Sequence, residues 1–356
     1  MLTDVAKVFL PAVLSFALGI GLTPLLAHYL YAHKMWKKRA GKVGLDGTAT
    51  KLFNRLHEAR EVGTPRLGGI IIWLSTALSI GAIFLVAQMS ESSFLMKLDF
   101  LSRDQTWIPL SLLILGALVG LIDDFFEIKG PAGNGTGGLS LFKRLFLVGA
   151  IGLLVGIWFY SKLDVAEISV PFFGALSLGP LLIPFFALVT MATYSGGIID
   201  GIDGLAGGIF AVIFGAYGVI AFFQDQINLA AFCAALLGGI LAFLWFNIPP
   251  ARFYMSETGS MALTLTLSVV AFMTDALGEG NGVLVLPIVA FPLVLTSASV
   301  ILQTVSKKIA GRKIFRIAPI HHHFEALGWP PYKVVMRYWV LAVIFALIGV
   351  TIALVG

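Results

Sequence analysis

Long apolar runs, separated by short polar segments, divide this chain from one end to the other. Most runs are near the roughly 20 residues that an α-helix needs to cross about 30 Å of hydrocarbon, although the third and the eighth are short. The pattern therefore predicts ten transmembrane helices, and the first is too long for the core of a signal peptide. Their ranges are 8–31, 67–88, 107–122, 144–161, 178–197, 204–223, 229–246, 259–275, 283–305 and 335–355.

The start of the fifth predicted helix is the least clear, because Val170–Pro184 contains three prolines. Prolines at this density favour a re-entrant segment or an extracytoplasmic hairpin before the helix begins. No repeat period and no separate polar domain interrupts the chain. We therefore expect residues 1–356 to form a single membrane domain.

Composition agrees with this pattern, since 58% of the residues are hydrophobic and only 12% are charged. Such values are typical of an all-α polytopic membrane protein rather than of a soluble protein with one core. The lone cysteine, Cys233, cannot form a disulfide within the chain, so it gives little information about the redox compartment.

The basic residues predict the orientation of the helices. Most of the 24 lysine and arginine residues follow the first, third and ninth predicted helices. By the positive-inside rule, the odd-numbered loops are cytoplasmic, and the N- and C-termini lie outside. The first loop is also suited to anionic lipid headgroups. Its basic residues include Lys34, Lys37, Lys38, Arg39 and Lys42.

The third apolar run ends on two adjacent carboxylates, Asp123 and Asp124, which are followed by Glu127. Carboxylates at the mouth of a hydrocarbon-embedded helix are costly, so they usually hold a cation or move a proton. The alternative is a hydrophilic helix end that marks the membrane edge. If the helix continues, Asp124 and Glu127 share one face of it.

The remaining polar clusters fall in other odd-numbered loops. They are Asp200 and Asp203 after the fifth helix, Asn247, Arg252 and Glu257 after the seventh, and His321, His322 and His323 after the ninth. Residues that merely marked membrane edges would fall on both faces. The one-sided distribution therefore predicts one composite active site on the cytoplasmic loops.

Clustered carboxylates at a membrane surface suit Mg²⁺, a hard cation that prefers oxygen ligands. In Asp200-Gly-Ile-Asp203 the glycine allows close backbone approach, although an ordinary Asx turn between two helices would carry the same string. Glu257 begins the eighth helix and is equally suited to interact with the positive end of that helix.

Three consecutive histidines within a basic segment favour the binding of an anion or a phosphate. A zinc site is the alternative, but adjacent side chains splay apart and seldom reach one ion together. The basic residues of this segment are Lys307, Lys308, Arg312, Lys313 and Arg316.

Ala318-Pro-Ile-His-His-His-Phe-Glu325, followed by Gly328-Trp-Pro330, resembles the hallmark of the phospho-N-acetylmuramoyl-pentapeptide transferases. These enzymes belong to the polyprenyl-phosphate N-acetylhexosamine-1-phosphate transferases. Ten helices with both termini outside are what this family implies. The other motifs that recur in the family order are Gly63-Thr-Pro with Gly68-Gly69, Asp123-Asp124, Asp200-Gly-Ile-Asp203-Gly-Leu-Ala, Trp245-Phe-Asn247 and Gly259-Ser260.

The resemblance implies Mg²⁺-dependent transfer of phospho-N-acetylmuramoyl-pentapeptide from its UDP carrier to undecaprenyl phosphate, with release of UMP. The product is the first lipid-linked intermediate of bacterial peptidoglycan synthesis, formed at the cytoplasmic membrane. The expected partners are the two substrates and membrane lipid. A homodimer is suggested by the family alone, and no nucleic-acid partner is expected.

The resemblance also assigns roles to individual residues. Asp123 is the base that acts on the lipid phosphate or, as the less favoured alternative, a covalent nucleophile, and Glu257 is the metal ligand. The other catalytic residues are Asp124, Asp200 and His322. Tyr254 would stack on uracil, while Lys143 and the histidines would contact phosphates. The expected substrate-binding residues are Lys143, Asp203, Asn247, Tyr254, His321 and His323.

Three positions depart from the family pattern. Ser256-Glu257 stands where Gly-Asp is usual, Gly197-Ile-Ile replaces Asn-Leu-Thr, and Arg66-Leu67 replaces Thr-Met. Glutamate keeps the carboxylate but extends it by one methylene, so we expect a divergent but active transferase.

Two other functions compete with this interpretation. A related transferase, which carries an N-acetylhexosamine phosphate for teichoic acid or surface polysaccharide, would share the aspartates but usually has a different histidine motif. A membrane transporter would place polar residues at the bilayer midplane and often has internal repeats.

Overall fold

The computed structural model describes residues 2–38, 62–102, 105–129, 138–276 and 280–356, and most of these residues are α-helical. In chain order the elements are α1 (Leu2–Ala32), α2 (Ile70–Met89), α3 (Ser93–Lys97), α4 (Trp107–Lys129), α5 (Leu141–Lys162), β1 (Glu167–Val170), β2 (Gly174–Ser177), α6 (Leu182–Gly196), α7 (Leu205–Phe223), α8 (Ile227–Asn247), α9 (Ser256–Ala276), α10 (Leu286–Val289), α11 (Phe291–Ala310), α12 (Ile320–Ala326) and α13 (Pro331–Val355). Short 3₁₀ turns, Gly179–Leu181 and Gly197–Ile199, flank α6.

In the described part of the chain, nine helices are long and apolar enough to cross a membrane. The protein is therefore a polytopic membrane protein, as predicted. The predicted helix 283–305 is not among the nine, and in its place the structure has two helices, α10 and α11, that are separated at Ala290. Pro287 and Pro292 lie in the first turns of these two helices, and proline has no backbone N–H to continue a preceding helix.

The hairpin alternative for Val170–Pro184 is confirmed, because β1 and β2 pair antiparallel with Glu167 opposite Ser177. Other predicted features lie outside the described residues. They are Arg39 and Lys42 of the first predicted loop.

Two of the four polar clusters, the aspartates of α4 and the histidines, lie in helices rather than in the predicted loops, and the third is divided because Arg252 stays in the connection between α8 and α9. Asp123 and Asp124 are on the last turns of α4, which continues to Lys129. Helical backbone satisfies its own N–H and C=O groups, so a helix can extend beyond the end of its apolar run without unpaired backbone groups. The other reassigned residues are Asn247 at the end of α8, Glu257 in the first turn of α9, and His321, His322 and His323 in α12.

The centre of the bundle is formed by α7, α8 and α9, most of whose side chains are buried. The aromatic rings of Phe186 and Phe272 stack there with their centroids 4.1 Å apart, which joins α6 to α9. Outer helices expose large apolar side chains, as expected of surfaces that face lipid. Examples are Phe9 and Leu25 of α1 and Phe142 and Leu154 of α5.

Glycines let pairs of these helices approach closely. A Cβ atom at Gly120 of α4 would lie 2.2 Å from the carbonyl oxygen of Glu257 in α9. A Cβ atom at Gly238 of α8 would lie 2.1 Å from the carbonyl oxygen of Ala12 in α1. Small residues at such contacts are the usual means of helix association in membranes. The contact at Gly120 brings the aspartates of α4 to the first turn of α9.

We expect Gly238→Ala to destabilise the protein by about 1–3 kcal/mol, because the added methyl group meets backbone that cannot rotate away. The measurement is the melting temperature in detergent, followed by size-exclusion chromatography after heating. Gly81→Ala is the matched control, since a Cβ atom at this position in α2 has no neighbour within 4 Å. A Gly238→Ala protein that melts at or above the parent temperature would show that the close α1–α8 contact is not required.

Candidate active site

Asp124 caps the start of α9. Its Oδ2 accepts hydrogen bonds from the backbone N of Thr258 at 2.8 Å and from the Thr258 hydroxyl at 2.7 Å. Its Oδ1 accepts a longer bond, 3.3 Å, from the backbone N of Glu257. The first N–H groups of a helix have no partner within the helix and carry partial positive charge, so they favour a carboxylate. Asp124 therefore fixes the end of α4 to the start of α9.

Arg66 connects the two carboxylates of α4 that lie one turn apart. Its Nε is 3.5 Å from Oδ1 of Asp124, and its Nη2 is 2.8 Å from Oε2 of Glu127. These contacts confirm that Asp124 and Glu127 share a helix face. Burial opposes the charge of Arg66, but the two carboxylates outweigh it, and the pKa of Arg66 is raised. Arg66, which departs from the family pattern, thus neutralises this side of the site.

Asp123 is fully buried beside Asp124. Its Oδ1 accepts a hydrogen bond from the backbone N of Leu139. Its Oδ2 lies 3.7 Å from Nη1 of Arg144 and receives no hydrogen bond from any described residue. A carboxylate oxygen that receives no hydrogen bond retains a lone pair that can accept a proton or bind a cation.

Glu257 is held from two neighbouring helices. Its Oε1 accepts a hydrogen bond from Nη1 of Arg144 in α5. Its Oε2 accepts a bond of 3.2 Å from the hydroxyl of Tyr194 in α6 and a bond of 3.4 Å from the hydroxyl of Ser260. The longer side chain is therefore placed within reach of the same arginine that approaches Asp123.

Arg144, which the sequence analysis did not select, is the cation of α5 that reaches the site. Lys143, the residue selected, is exposed on the first turn of α5. Adjacent residues in a helix point about 100° apart, so the two side chains cannot face the same way. The buried positions Val148 and Gly152 are four residues apart, and the same spacing leads back to Arg144. This periodicity was the signal in the sequence that distinguishes the two basic residues.

The Asp200–Asp203 turn is joined to the connection between α8 and α9. Oδ2 of Asp200 accepts a 2.9 Å bond from the backbone N of Ser256, and Oδ2 of Asp203 accepts a 3.1 Å bond from that of Ala251. Oδ1 of Asn247 accepts a 2.9 Å bond from the backbone N of Gly204. These side chains order the backbone around the start of α9.

Two of the three histidines meet this turn. His321 and His322 are buried with ring centroids 4.3 Å apart. A Cβ atom at Gly201 would lie 2.6 Å from Nε2 of His321 and 2.7 Å from Nε2 of His322, so only glycine allows this approach. Nδ1 of His322 is 2.6 Å from Oε2 of Glu325.

His323 faces the basic segment instead. Its Nδ1 accepts a 3.1 Å hydrogen bond from the backbone N of Arg316. Partial burial and the charge of Arg316 both lower the pKa of His323, which favours the neutral ring that this bond requires. The histidine triplet is thus divided between the aspartate turn and the basic segment.

Tyr254 contributes its backbone to the same region. Its N–H donates to the carbonyl oxygen of Pro65 at 2.9 Å, and its carbonyl oxygen accepts from the N–H of Gly68 at 2.8 Å. The segment that carries the Gly-Thr-Pro motif is thereby attached to the start of α9. The half-buried ring of Tyr254 lies in this connection.

Taken together, the contacts link all the polar clusters at one end of the bundle. The described residues contain no group of three or more His, Cys, Asp or Glu side chains that could hold one metal ion. Mg²⁺ usually keeps water or substrate phosphates as ligands and needs only one or two carboxylates from the protein. Glu257, with Asp123 beside it, fits that requirement, whereas both oxygens of Asp124 are already engaged by α9.

Comparison with known proteins agrees with this arrangement. The model of Glycosyl transferase family 4 matches residues 106–275, which include Asp123, Asp200 and Glu257. The phospho-N-acetylmuramoyl-pentapeptide-transferase of Geobacillus sp. (strain WCH70) is 30% identical, over 96% of this chain and 97% of the relative. This chain belongs to that transferase family.

Other members of the phospho-N-acetylmuramoyl-pentapeptide transferase family are similarly distant. The relative in Chloroflexus aurantiacus is 30% identical over 100% of this chain and 92% of its own length. The relative in Anoxybacillus flavithermus is 31% identical over 82% of this chain and 85% of its own length. These matches confirm the family resemblance and disfavour the transporter alternative.

We expect Thr258→Val to destabilise this transferase by about 1–3 kcal/mol, because the buried Asp124 carboxylate loses one of its hydrogen-bond donors. The melting temperature in detergent measures the effect. Thr264→Val is the matched control, since Thr264 is equally buried in α9 but donates to the carbonyl oxygen of Ser260 in its own helix. Equal losses in the two variants would contradict a special role for the Asp124 contact.

Proposed function

We propose that this chain transfers phospho-N-acetylmuramoyl-pentapeptide from its UDP carrier to undecaprenyl phosphate and releases UMP. The observation that carries the proposal is the match, over nearly the whole chain, to transferases of that name. The distribution of basic residues supports a bacterial cytoplasmic membrane location, with the active site facing the cytoplasm and both termini outside.

Asp123 is the proposed base. Its Oδ2 has no hydrogen-bond donor among the described residues, so it can accept the proton of the acceptor phosphate. The deprotonated phosphate oxygen then attacks the phosphorus that carries the sugar, and the bond from that phosphorus to the departing UMP oxygen breaks. Covalent attack by Asp123 itself is the less favoured alternative.

Glu257 is the proposed ligand of Mg²⁺, and Asp123, the proposed base, lies beside it. When bound, Mg²⁺ would neutralise charge on the diphosphate and on the departing UMP. The fit rests on the carboxylate of Glu257, which contacts the same arginine nitrogen that approaches the buried Asp123.

The remaining assignments follow from the neighbourhood of each residue. Asp200, Asp203 and Asn247 order the turn beside the start of α9, which supports a role in nucleotide binding. His322 lies between Gly201 and Glu325, which suits a group that binds or moves a proton near a phosphate. Phosphate contacts are proposed for Lys143, His321 and His323, and stacking on uracil for Tyr254. The homodimer stays a prediction.

We expect the purified protein to release UMP when it receives Mg²⁺, undecaprenyl phosphate and the UDP-linked muramoyl-pentapeptide. Asp123→Asn should slow release about 100-fold or more, which is the usual contribution of a general base, and should preserve nucleotide binding. Asp225→Asn is the matched control, because Asp225 is exposed between α7 and α8 with φ 55°, a conformation that asparagine tolerates.

Turnover with UDP-N-acetylglucosamine, and none with the muramoyl-peptide nucleotide, would instead support the transferase for teichoic acid or surface polysaccharide. A parent protein that releases no UMP from either donor would contradict both functions. Loss of nucleotide binding in Asp123→Asn with the rate of chemistry unchanged would contradict the role of Asp123 as the base.

A further inference from the structure

One nitrogen atom lies between the proposed base, Asp123, and the proposed metal ligand, Glu257. Nη1 of Arg144 donates a hydrogen bond to Oε1 of Glu257 and is 3.7 Å from Oδ2 of Asp123. A single positive group that approaches one oxygen of each carboxylate occupies the place that a shared cation would take. The arginine thereby balances one of the two negative charges.

The guanidinium is also held at a second point. Nε of Arg144 donates a 2.9 Å hydrogen bond to the carbonyl oxygen of Leu139, whose N–H donates to Asp123. Arginine cannot lose its charge at any physiological pH, so a metal ion and this guanidinium would repel each other at such a distance. Room for the metal requires the side chain to move.

The surroundings of Arg144 allow that movement. Its side chain is 24% exposed, whereas that of Asp123 is completely buried. The long arginine side chain can therefore turn toward water while the carboxylate stays in place. Arg66 does not compete with a metal ion for the position between Asp123 and Glu257, because its contacts are with Asp124 and Glu127.

We propose that Arg144 occupies the metal position of the metal-free enzyme and that a divalent cation binds by displacing its guanidinium from Asp123 and Glu257. This inference rests on the proposed function, since it concerns the metal of that reaction. Before the metal arrives, the guanidinium balances one of the two carboxylate charges, and the exchange lowers the apparent metal affinity because each binding event must break the arginine contacts.

The test is Mn²⁺ binding, measured by electron paramagnetic resonance on the full-length protein in detergent without substrates. Arg144→Gln should bind Mn²⁺ about tenfold more tightly than the parent, since a neighbouring arginine changes the affinity of a carboxylate for a cation by at least that factor. Lys162→Gln is the matched control, because it removes the same charge from an exposed side chain at the other end of α5. Its Mn²⁺ affinity should stay within about twofold of the parent value.

Equal or weaker Mn²⁺ binding by Arg144→Gln, or an equal gain in Lys162→Gln, would overturn the exchange. If Arg144→Gln does not fold, Arg144→Lys serves instead, because lysine keeps the charge but loses the two-point contact. It should bind Mn²⁺ more tightly than the parent, and unchanged affinity would overturn the proposal. Failure of the parent and both glutamine variants to bind Mn²⁺ would overturn the exchange together with the metal role of the proposed function, whereas UMP release tests the transfer reaction separately.

Discussion

The hydrogen bonds between Asp124 and the first turn of α9 are the constraint on which the rest of the site depends. They join two helices whose backbones already approach closely at Gly120. Because Asp123 precedes Asp124 on α4 and Glu257 precedes Thr258 on α9, the same contact places the two remaining carboxylates beside each other. A carboxylate and a helix terminus satisfy each other here, as buried polar groups must.

We therefore propose that the two adjacent aspartates have different roles. Asp124 has donors at both oxygens and acts in the structure, while Asp123 keeps one oxygen without a hydrogen bond and is suited to chemistry. Buried carboxylates need nearby positive charge, and two arginines supply it from opposite sides. Arg66 pairs with Asp124, and Arg144 reaches Glu257 and approaches Asp123. The proposed reactive carboxylates, Asp123 and Glu257, are those whose arginine, Arg144, is displaced by a divalent cation in our proposal.

Apolar runs predicted most of the helices, because the length of hydrocarbon to be crossed sets the length of each run. Helix ends were predicted poorly, since α4 continues through Asp123 to Lys129. The sequence shows that Asp124 is polar, but it does not show that the carboxylate is paired with the start of another helix. The choice of Lys143 over Arg144 had a different cause. Which of two adjacent basic residues reaches the site depends on the face of the helix that packs against its neighbours. Gly152 indicates that face, whereas composition gives no information about it. The bond from Tyr194 to Glu257 joins residues 63 apart and depends on packing alone.

The measurement that tests the central claim most directly compares Asp123→Ala with Asp124→Ala, with the melting temperature and the rate of UMP release recorded for each. If Asp124 fixes α4 to α9 and Asp123 does the chemistry, Asp124→Ala should lower the melting temperature by several degrees, about the effect of 1–2 kcal/mol. Asp123→Ala should abolish release with a much smaller thermal effect. A thermal loss in Asp123→Ala that equals or exceeds the loss in Asp124→Ala would contradict this division of roles.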